Sequence, residues 1–463
     1  MELTPFSVLN SLFNEKLKDE RPYVTDGKSF IKIMQHGLSY AKNNASKKLI
    51  KNYLSWPYAL QVAIMHGKSK MRKPIAPANI QTPFVIIEPN RLISDDQGQF
   101  HSMYFERLSE VLGEGQVTWI TKKKDARYPT TIALNTLPHS YPAPDTIELD
   151  YLKLILRTLK KIQASALYSA LEKEHIQSAF HIYFDDFRFY YNLFKGSNFK
   201  CLFFICHYQT EGLIAALQAL NIRSVEAQHG LIAENDLYYA YAQHFEKGVH
   251  NADFPDQILV YGSYWKSLLL RGCEFSSDKI IVAGDYIWRK PNAVVHAPKK
   301  NTVLICSQKN MHKDYVGYAE KLRTVQAKHP DWNWIIKLHP LEPNKQFYEP
   351  LKSQGFTIID TERILDDLLL ECRIQISIYS TTFYDSLGFE VVNFSLQNYG
   401  IHRDYAADMI KERVALPLAI DEDPIERYYQ LKEQPSTLLE REEVYGTFNR
   451  KAIESITSYA MNQ

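Results

Sequence analysis

The chain has 463 residues, a formal net charge of +1 at pH 7 and a mean hydropathy of −0.32. This length exceeds one ordinary hydrophobic core, so we expect at least two domains, and the balanced charge gives no overall attraction to nucleic acid. The five cysteines are odd in number and form no C-x-x-C pair, which argues against a disulfide framework or a zinc site and favours a reducing cytosol. No signal-peptide pattern begins the chain, and no run approaches the ~20 apolar residues of a membrane-spanning helix. We therefore expect a cytoplasmic protein.

The pattern of apolar residues divides the chain into three parts. Residues 1–75 carry apolar residues at helical spacing and no strand signal, which predicts an added helical segment. From residue 76 to 290, short buried-strand runs alternate with helical stretches, the pattern of a parallel sheet with crossover helices. A Pro-, Lys- and Asn-rich linker near residues 288–301 separates this part from a second alternating set. We assign that set, with a charged helical tail, to a domain spanning 291–463.

One long amphipathic helix is predicted from about residue 147 to residue 174. Its polar side carries Lys153, Arg157, Lys160 and Lys161. A solvated face explains these charges, and peripheral contact with an anionic membrane surface is the alternative.

Two motifs of the second domain point to a phosphate-bearing ligand. WNWIIKLHP (332–340) is an apolar run that stops at His339 and Pro340. QISIYSTTFYDSL (375–387) breaks at Ser380, Thr381 and Thr382 and then reads as helix. An imidazole at one strand end and hydroxyls before a helix at another suit anionic oxygens. Taken singly, each motif also fits a structural histidine or an ordinary helix cap.

Ligands of doubly wound folds bind outside the carboxyl ends of the parallel strands, so the polar residues at those ends are the candidate site. The division between the domains suits group transfer, with the donor held by the second domain and an acceptor deprotonated by the first. On the donor side these residues are Ser307, Gln308, Lys309, Lys337, His339, Pro340, Ser380, Thr381 and Thr382. On the acceptor side they are Arg91, Asp185, Asp186, His207, Glu211, Gln228, His229 and Gly230.

Three residues compete for the role of catalytic base. Glu211 opens a predicted helix, where the helix dipole also favours a carboxylate. Asp185, beside Asp186, could instead cap the helix that follows. His229 precedes Gly230, which either allows backbone to approach a ligand closely or serves a plain turn. No D-x-D follows a strand, so we expect a mechanism without metal or other cofactor.

The order of the motifs resembles that of bacterial glycosyltransferases with the GT-B fold. The similar stretches are QHG (228–230), ILVYGSYWKSLLLRGCEFSSDKIIVAGDYIWRK (258–290), KLHP (337–340) and ISIYSTTFYDSLGFEVVNF (376–394). They are most similar to the capsule and surface-polysaccharide group, which includes sialyl-, polysialyl- and Kdo-transferase-like enzymes and CDP-glycerol glycerophosphotransferases. FVIIEPNRLISDDQGQF (84–100) resembles the first strand and arginine-bearing loop of capsule-type members.

The resemblance spans about residues 83–400 and implies two Rossmann-like domains whose parallel sheets face a central cleft. It also implies that His339-Pro340 and Ser380-Thr381-Thr382 hold the phosphate and ribose of the donor nucleotide. Two features depart from the family pattern. Tyr-Ser-Thr-Thr (379–382) stands where many relatives have paired serines after an aspartate, and the usual Gly-x-Pro after VAGDYIWRK is absent.

These observations predict a metal-independent glycosyltransferase that moves a CMP-linked nonulosonate or Kdo onto a surface-glycan or glycolipid acceptor. An acidic sugar calls for an extra cation near the phosphate, such as Lys309 or Lys337. The alternatives are a CDP-glycerol-type polyol-phosphate transferase, an NDP-sugar transferase and a non-catalytic binding protein with a GT-B-like fold. A UDP-sugar 2-epimerase of related fold would need further strand-end acids and bases, which the sequence does not offer.

Overall fold

The computed structural model describes residues 77–461 except 96, 114, 123–127, 129, 135–185, 234–238, 240–253, 273–275, 290–297, 310, 361–362, 398–401 and 432–438. The predicted N-terminal helical segment, the basic helix near 147–174, Asp185 and most of the linker lie outside these residues. Contacts divide the chain into a first unit, Met1–Lys290 with Gly446–Gln463, and a second unit, Pro291–Tyr445.

The first unit is built on a seven-stranded sheet in which every neighbouring pair is parallel. Short apolar runs such as FVII and CLFF form its central strands and are buried almost throughout, as expected where helices cover both faces. A small antiparallel hairpin, β2 and β3, follows the first strand. The strands are β1 Phe84–Ile87, β2 Leu92–Ser94, β3 Phe100–Ser102, β4 Val117–Thr121, β5 Thr131–Ala133, β6 Cys201–Phe204, β7 Arg223–Ala227, β8 Gln257–Val260 and β9 Ile280–Val282. The helices are α1 Glu106–Leu112, α2 186–194, α3 Glu211–Ala219 and α4 Ser263–Gly272, with 3-10 turns at His207–Gln209 and Ser277–Lys279.

The second unit repeats this architecture with a six-stranded parallel sheet. Its core joins strand residues to large side chains of the covering helices, among them the fully buried Tyr315 and Tyr318. The strands are β10 Thr302–Cys306, β11 Asn333–Lys337, β12 Phe356–Ile359, β13 Ile374–Ser377, β14 Val392–Leu396 and β15 Leu416–Leu418. The helices are α5 His312–Lys321, α6 Arg323–Lys328, α7 Leu365–Glu371, α8 Thr382–Asp385, α9 His402–Lys411, α10 Pro424–Gln430 and α11 Arg441–Val444, with 3-10 turns at Lys345–Phe347 and Glu349–Gln354.

Both sheets reverse their strand order at the first strand. The second sheet runs β12-β11-β10-β13-β14-β15, and the first runs β5-β4-β1-β6-β7-β8-β9. Each sheet therefore grows outward from its first strand in both directions, the doubly wound order of Rossmann-like domains. The predicted α/β fold class with two such domains is confirmed.

The end of the chain returns to the first unit. After Tyr445 the backbone runs beside β9: the amide of Asp285 donates to the carbonyl of Gly446 (2.7 Å), and the amide of Asn449 donates to the carbonyl of Ala283 (2.8 Å). The last helix, α12 Arg450–Met461, then packs on α1. The sequence analysis placed this tail in the second domain, whereas its contacts group residues 446–463 with the first.

Two further findings concern the whole described chain. None of its helices is long and apolar enough to cross a membrane. Cys201, Cys206, Cys306 and Cys372 are free thiols.

Gly284 is the residue that allows this return. Its φ is +75°, and a Cβ there would lie 2.1 Å from the carbonyl oxygen of Thr447. Backbone cannot yield as a flexible side chain can, so the tail and β9 would have to separate.

We predict that Gly284→Ala lowers the free energy of unfolding by about 3 kcal/mol, since it combines left-handed strain with overpacking. Gly98→Ala is the matched control because Gly98 has φ +77° and open space around the added Cβ. The free energy of unfolding of Gly98→Ala should fall by only about 1 kcal/mol, which is the cost of the left-handed conformation. Urea unfolding of both variants measures the difference, and equal losses would show that the contact with Thr447 does not matter.

Candidate functional site

The second unit reverses its strand order between β10 and β13, where crevices of doubly wound sheets form. The chain leaves β10 through Ser307 and Gln308, and it leaves β13 through Tyr379 and Ser380. The end of β11, with His339, lies on the other side of β10. Three adjacent strands thus deliver the predicted donor-side residues to one edge of this unit.

Ser307 ties the ends of β10 and β11 together. Its amide donates to the carbonyl of Lys337 (3.0 Å), and its side-chain oxygen accepts the amide of His339 (3.0 Å). Ser307 is buried, so this contact fixes the backbone at His339 with little competition from water. Pro340 follows as an exposed residue.

The imidazole of His339 is held in one tautomer. Its Nδ1 accepts the amide of Leu341 (3.1 Å), so the proton of the neutral ring lies on Nε2. The side chain is half-buried. The phosphate contact predicted for His339 requires a hydrogen-bond donor of this kind.

Gln308 joins the ends of β10 and β13. Its Oε1 accepts the hydroxyl of Tyr315 (2.9 Å) and the amide of Tyr379 (3.2 Å). Tyr315 also lies 3.0 Å from the hydroxyl of the buried Ser377. The side-chain oxygen of Gln308 therefore holds the loop that carries Ser380, a positioning role that the sequence pattern did not distinguish from direct binding.

The Ser380–Thr382 stretch is more irregular than the sequence predicted. The helix after it, α8, has only four residues, too few for a strong helix-end dipole. The hydroxyls themselves are the useful groups. The hydroxyl of Ser380 accepts the amide of Thr382 (3.3 Å), and the buried Gln375 donates to the hydroxyl of Thr382. The side chains of Ser380, Thr381 and Thr382 are half-buried.

The two lysines considered for this site differ in their surroundings. The ammonium of Lys337 donates to the carbonyl of Asp360, on the side of the neighbouring strand β12. Lys309 is exposed in the loop after β10. Of the two, Lys309 is the cation that stays near the β10 end.

In the first unit, the strand ends enclose a buried contact between a histidine and a carboxylate. Nδ1 of His207 lies 2.6 Å from the carboxylate of Glu226, and both side chains are fully buried. Tyr239 donates to the same carboxylate (3.2 Å), and the rings of Tyr239 and Phe254 pack against His207. Burial acts to raise the pKa of Glu226, but the charge and hydrogen bonds of His207, together with the charge of His229, outweigh it and hold that pKa below its usual range.

Two predicted acceptor-side residues are therefore built into the interior. His207 is enclosed as described. Gln228 is also fully buried: its amide group donates to the carbonyl of Gly230 (3.0 Å) and accepts the amide of Tyr261 (3.1 Å). These contacts shape the turn that presents His229, which is a supporting role.

His229 lies in a cluster of half-buried polar groups at the ends of β6 and β7. Its Nε2 lies 3.2 Å from Sγ of Cys206 and 3.3 Å from the hydroxyl of Tyr208. Tyr104 donates to its backbone carbonyl (2.9 Å). Burial, opposed by the charge of Glu226 and aided by Arg91, lowers the pKa of His229 to about 4, so the ring is neutral at pH 7.

Sequence reasoning missed Cys206, Tyr208 and Tyr104. Cys206 has a left-handed backbone (φ +60°) at the end of β6, and burial raises the pKa of its thiol to about 12, which makes it an inert thiol. Tyr208 directly follows His207 at a strand end, so the position of the strand could have identified it. Tyr104 is 125 residues from His229, and no local pattern marks it.

The remaining predicted acceptor-side residues lie at different positions in the first unit. Arg91 follows β1, and its charge acts on both Cys206 and His229. Gly230 has open space where a side chain would stand. Glu211 is the first residue of α3 and is buried, and Asp186 begins the described part of α2.

Among the described residues, one group has the spacing of metal ligands: His329, Asp423 and Glu426. It precedes β11 and so lies at the edge opposite His339. Asp423 caps α10, and the ammonium of Lys328 lies 3.3 Å from Glu426. These roles account for the cluster as a cap with an ion pair.

No protein-family model matches the chain, and no curated protein matches it by sequence. Among solved structures, it is similar to the UDP-GlcNAc 2-epimerase from Neisseria meningitidis bound to UDP-GlcNAc (14% identity, 82% of this chain, 99% of that chain, TM-score 0.46). It is also similar to a putative UDP-N-acetylglucosamine 2-epimerase from Listeria monocytogenes (10% identity, 83% of this chain, 96% of that chain, TM-score 0.47). A third structure is UGT89C1 from Arabidopsis thaliana complexed with UDP-L-rhamnose (10% identity, 85% of this chain, 95% of that chain, TM-score 0.42). At these identities the likeness is one of backbone architecture.

We predict that His229 makes the protein sensitive to acid. Its pKa falls from 6.5 to about 4 on folding, so between those values the unfolded chain binds a proton that the folded chain does not. The free energy of unfolding should therefore fall on acidification through this window, by up to about 1.4 kcal/mol per pH unit.

Urea unfolding at several pH values from 7 to 4 measures this slope. His229→Asn is the control because asparagine keeps a polar side chain but does not titrate, and its slope should be shallower. The same slope in both proteins would exclude His229 as the source.

Proposed function

We propose that the protein is a metal-independent glycosyltransferase that uses a nucleotide-linked sugar, with the donor phosphate bound by the second unit. The arrangement of His339, Ser307 and Ser380–Thr382 at the ends of three adjacent strands carries this proposal. A nucleotide phosphate needs several hydrogen-bond donors converging on it, and strand ends at a reversal of strand order are where such groups meet.

The proposed chemistry at this site is stabilisation of the leaving group. When the bond between sugar and phosphate breaks, negative charge grows on the nucleotide phosphate. The imidazole of His339 and the hydroxyl of Ser380 are already held by hydrogen bonds from backbone amides, so they stabilise that charge without reorganising.

In the first unit we assign the base to His229. Its ring is neutral at pH 7, which a proton acceptor requires, and it is half-buried at the strand ends beside Gly230. The side chain of Glu211 is more deeply buried at the start of α3. Glu211 and Asp185 are the alternatives for the base, and mutation of each would rank the three.

For the donor we retain a CMP-linked acidic sugar, a nonulosonate or Kdo, with a surface glycan or glycolipid as acceptor. Lys309 is exposed in the loop after β10, two residues beyond Ser307, and a cation in this loop supports a donor with an added carboxylate. A CDP-glycerol-type donor or another NDP-sugar would use the same phosphate groups without needing this lysine.

A thermal-shift panel with CMP, CDP, UDP, GDP and their sugar conjugates tests the donor class. A ligand that binds only the folded protein at a hundred times its Kd stabilises it by about 2.7 kcal/mol. We expect stabilisation by CMP and its acidic-sugar conjugates, because the site offers donors for one phosphate and a cation for a carboxylate.

If only UDP or GDP compounds stabilise the protein, the proposal of a cytidine-nucleotide donor is wrong, and a transferase that uses another NDP-sugar becomes the proposed function. The product then separates the remaining functions. A transferase consumes the donor only with an acceptor, an epimerase converts it alone, and a binding protein leaves it intact. Absence of any nucleotide binding would contradict the whole proposal.

We predict that His339→Ala weakens nucleotide binding about 10- to 100-fold, the effect of losing one hydrogen bond to a charged group. His329→Ala is the matched control, since it removes an imidazole from the amino end of the same strand. Calorimetric titration with the nucleotide found by the panel measures both, with circular dichroism to show that each variant is folded. Wild-type affinity in His339→Ala would rule out this phosphate site.

A further inference from the structure

Phe347 is a large apolar side chain with 50% of its surface exposed. It ends the 3-10 turn Lys345–Phe347, in the connection between β11 and β12 that also carries His339. Single exposed apolar residues are common on protein surfaces and by themselves need no explanation. Phe347 differs because it is already half of an aromatic stack.

The partner in this stack is His312, the first residue of α5. The two ring centres lie 4.7 Å apart, and the planes are inclined by 20°. The stack joins the chain after β10 to the chain after β11. One face of Phe347 is thus covered, which holds the ring in place while much of its remaining surface meets solvent.

Neighbouring residues link the stack to the candidate phosphate-binding side chains described above. Tyr348 follows Phe347 and is fully buried, with its hydroxyl beside Ser307. The side-chain oxygen of Ser307 in turn accepts the amide of His339. Consecutive contacts therefore connect the aromatic stack to the imidazole at the same edge of the sheet.

The stack also offers a polar atom. Nδ1 of His312 is buried and, within the part of the chain that the structure describes, has no hydrogen-bond partner. A buried polar atom without a partner costs free energy, and the structure carries this cost at the aromatic stack. The surface that the stack presents is therefore the flat apolar ring of Phe347, and the imidazole nitrogen is not part of it.

We propose that the Phe347–His312 stack is the platform for the nucleobase of the donor. This inference rests on the proposed function, because it requires the phosphate of the same nucleotide to lie at His339. Every nucleobase has a flat face that stacks on an aromatic ring and polar edges that hydrogen-bond. An inorganic phosphate lacks such a face, and one exposed ring is too small a surface for a protein partner.

The test compares a ligand that has a base with one that has none. In the full chain, Phe347→Ala should weaken CMP binding about tenfold, the usual effect of removing one stacking ring. Binding of inorganic pyrophosphate should stay as in the wild type, because its contacts are to His339 and the hydroxyls. Phe347→Trp should restore CMP affinity.

Tyr429→Ala is the control for loss of an exposed aromatic residue. Tyr429 is 61% exposed on α10 of the same unit, and its removal should leave both affinities unchanged. His312→Phe keeps a stacked ring and removes only the buried nitrogen, so its CMP affinity should stay close to that of the wild type.

The outcomes separate this inference from the function on which it rests. If the wild type binds a nucleotide and Phe347→Ala binds it equally well, the platform is wrong and the phosphate site stands. If Phe347→Ala loses CMP and pyrophosphate to the same degree, the residue supports the phosphate site and the platform is again wrong. If the wild type binds none of the four nucleotides, both proposals fall.

Discussion

The reversal of strand order within each sheet is the constraint on which the rest of the structure depends. Chain segments leaving β10 and β13 depart in opposite directions, so the loops between them cannot fill the space above the sheet. The backbone amides exposed there need partners, and side chains from the neighbouring strand end supply them. Gln308 bridges β10 to β13, and Ser307 bridges β10 to β11. The residues that complete the fold at this edge thereby fix the residues available to a ligand.

The two units solve this problem with different chemistry. The second uses neutral donors and acceptors, whereas the first buries a carboxylate, that of Glu226. Such a charge is costly unless it is paired, and His207 and Tyr239 supply the pairing. The charge of Glu226 also acts on His229: it raises the pKa of His229, while burial and Arg91 lower that pKa. The proton affinity of His229 is set by this opposition, so the buried pair affects the candidate base without touching a substrate.

Local patterns in the sequence were sufficient to predict the strands and the strand ends at which the candidate donor-side residues stand. FVII and WNWIIKLHP are buried runs of strand length, and parallel strands bring their carboxyl ends to one edge whatever the details of packing. These patterns were insufficient where the role of a polar residue depends on how deeply its side chain is buried. His207 and Gln228 stand at strand ends like His229, but their partners, Glu226 and Tyr261, lie 19 and 33 residues away, and only the folded structure shows that they are buried. The return of the tail to the first unit depends on Gly284, which in the sequence looks like any isolated turn glycine.

Among the described residues at the ends of β10, β11 and β13, no ammonium is fixed beside His339, and this has a physical consequence for the proposed function. Lys337 points its charge to the carbonyl of Asp360, which leaves neutral donors and the exposed Lys309 for an anion. Neutral donors that are oriented in advance stabilise a charge when it appears, yet they hold a phosphate less tightly than a buried ion pair would. A transferase must release its nucleotide after each cycle, and tight binding of that product would limit its rate. A stack on Phe347 suits the same requirement, because it adds recognition of the base through surface contact and leaves the grip on the phosphate unchanged. Selectivity for the nucleotide and release of the product would then depend on different side chains of one strand-end edge.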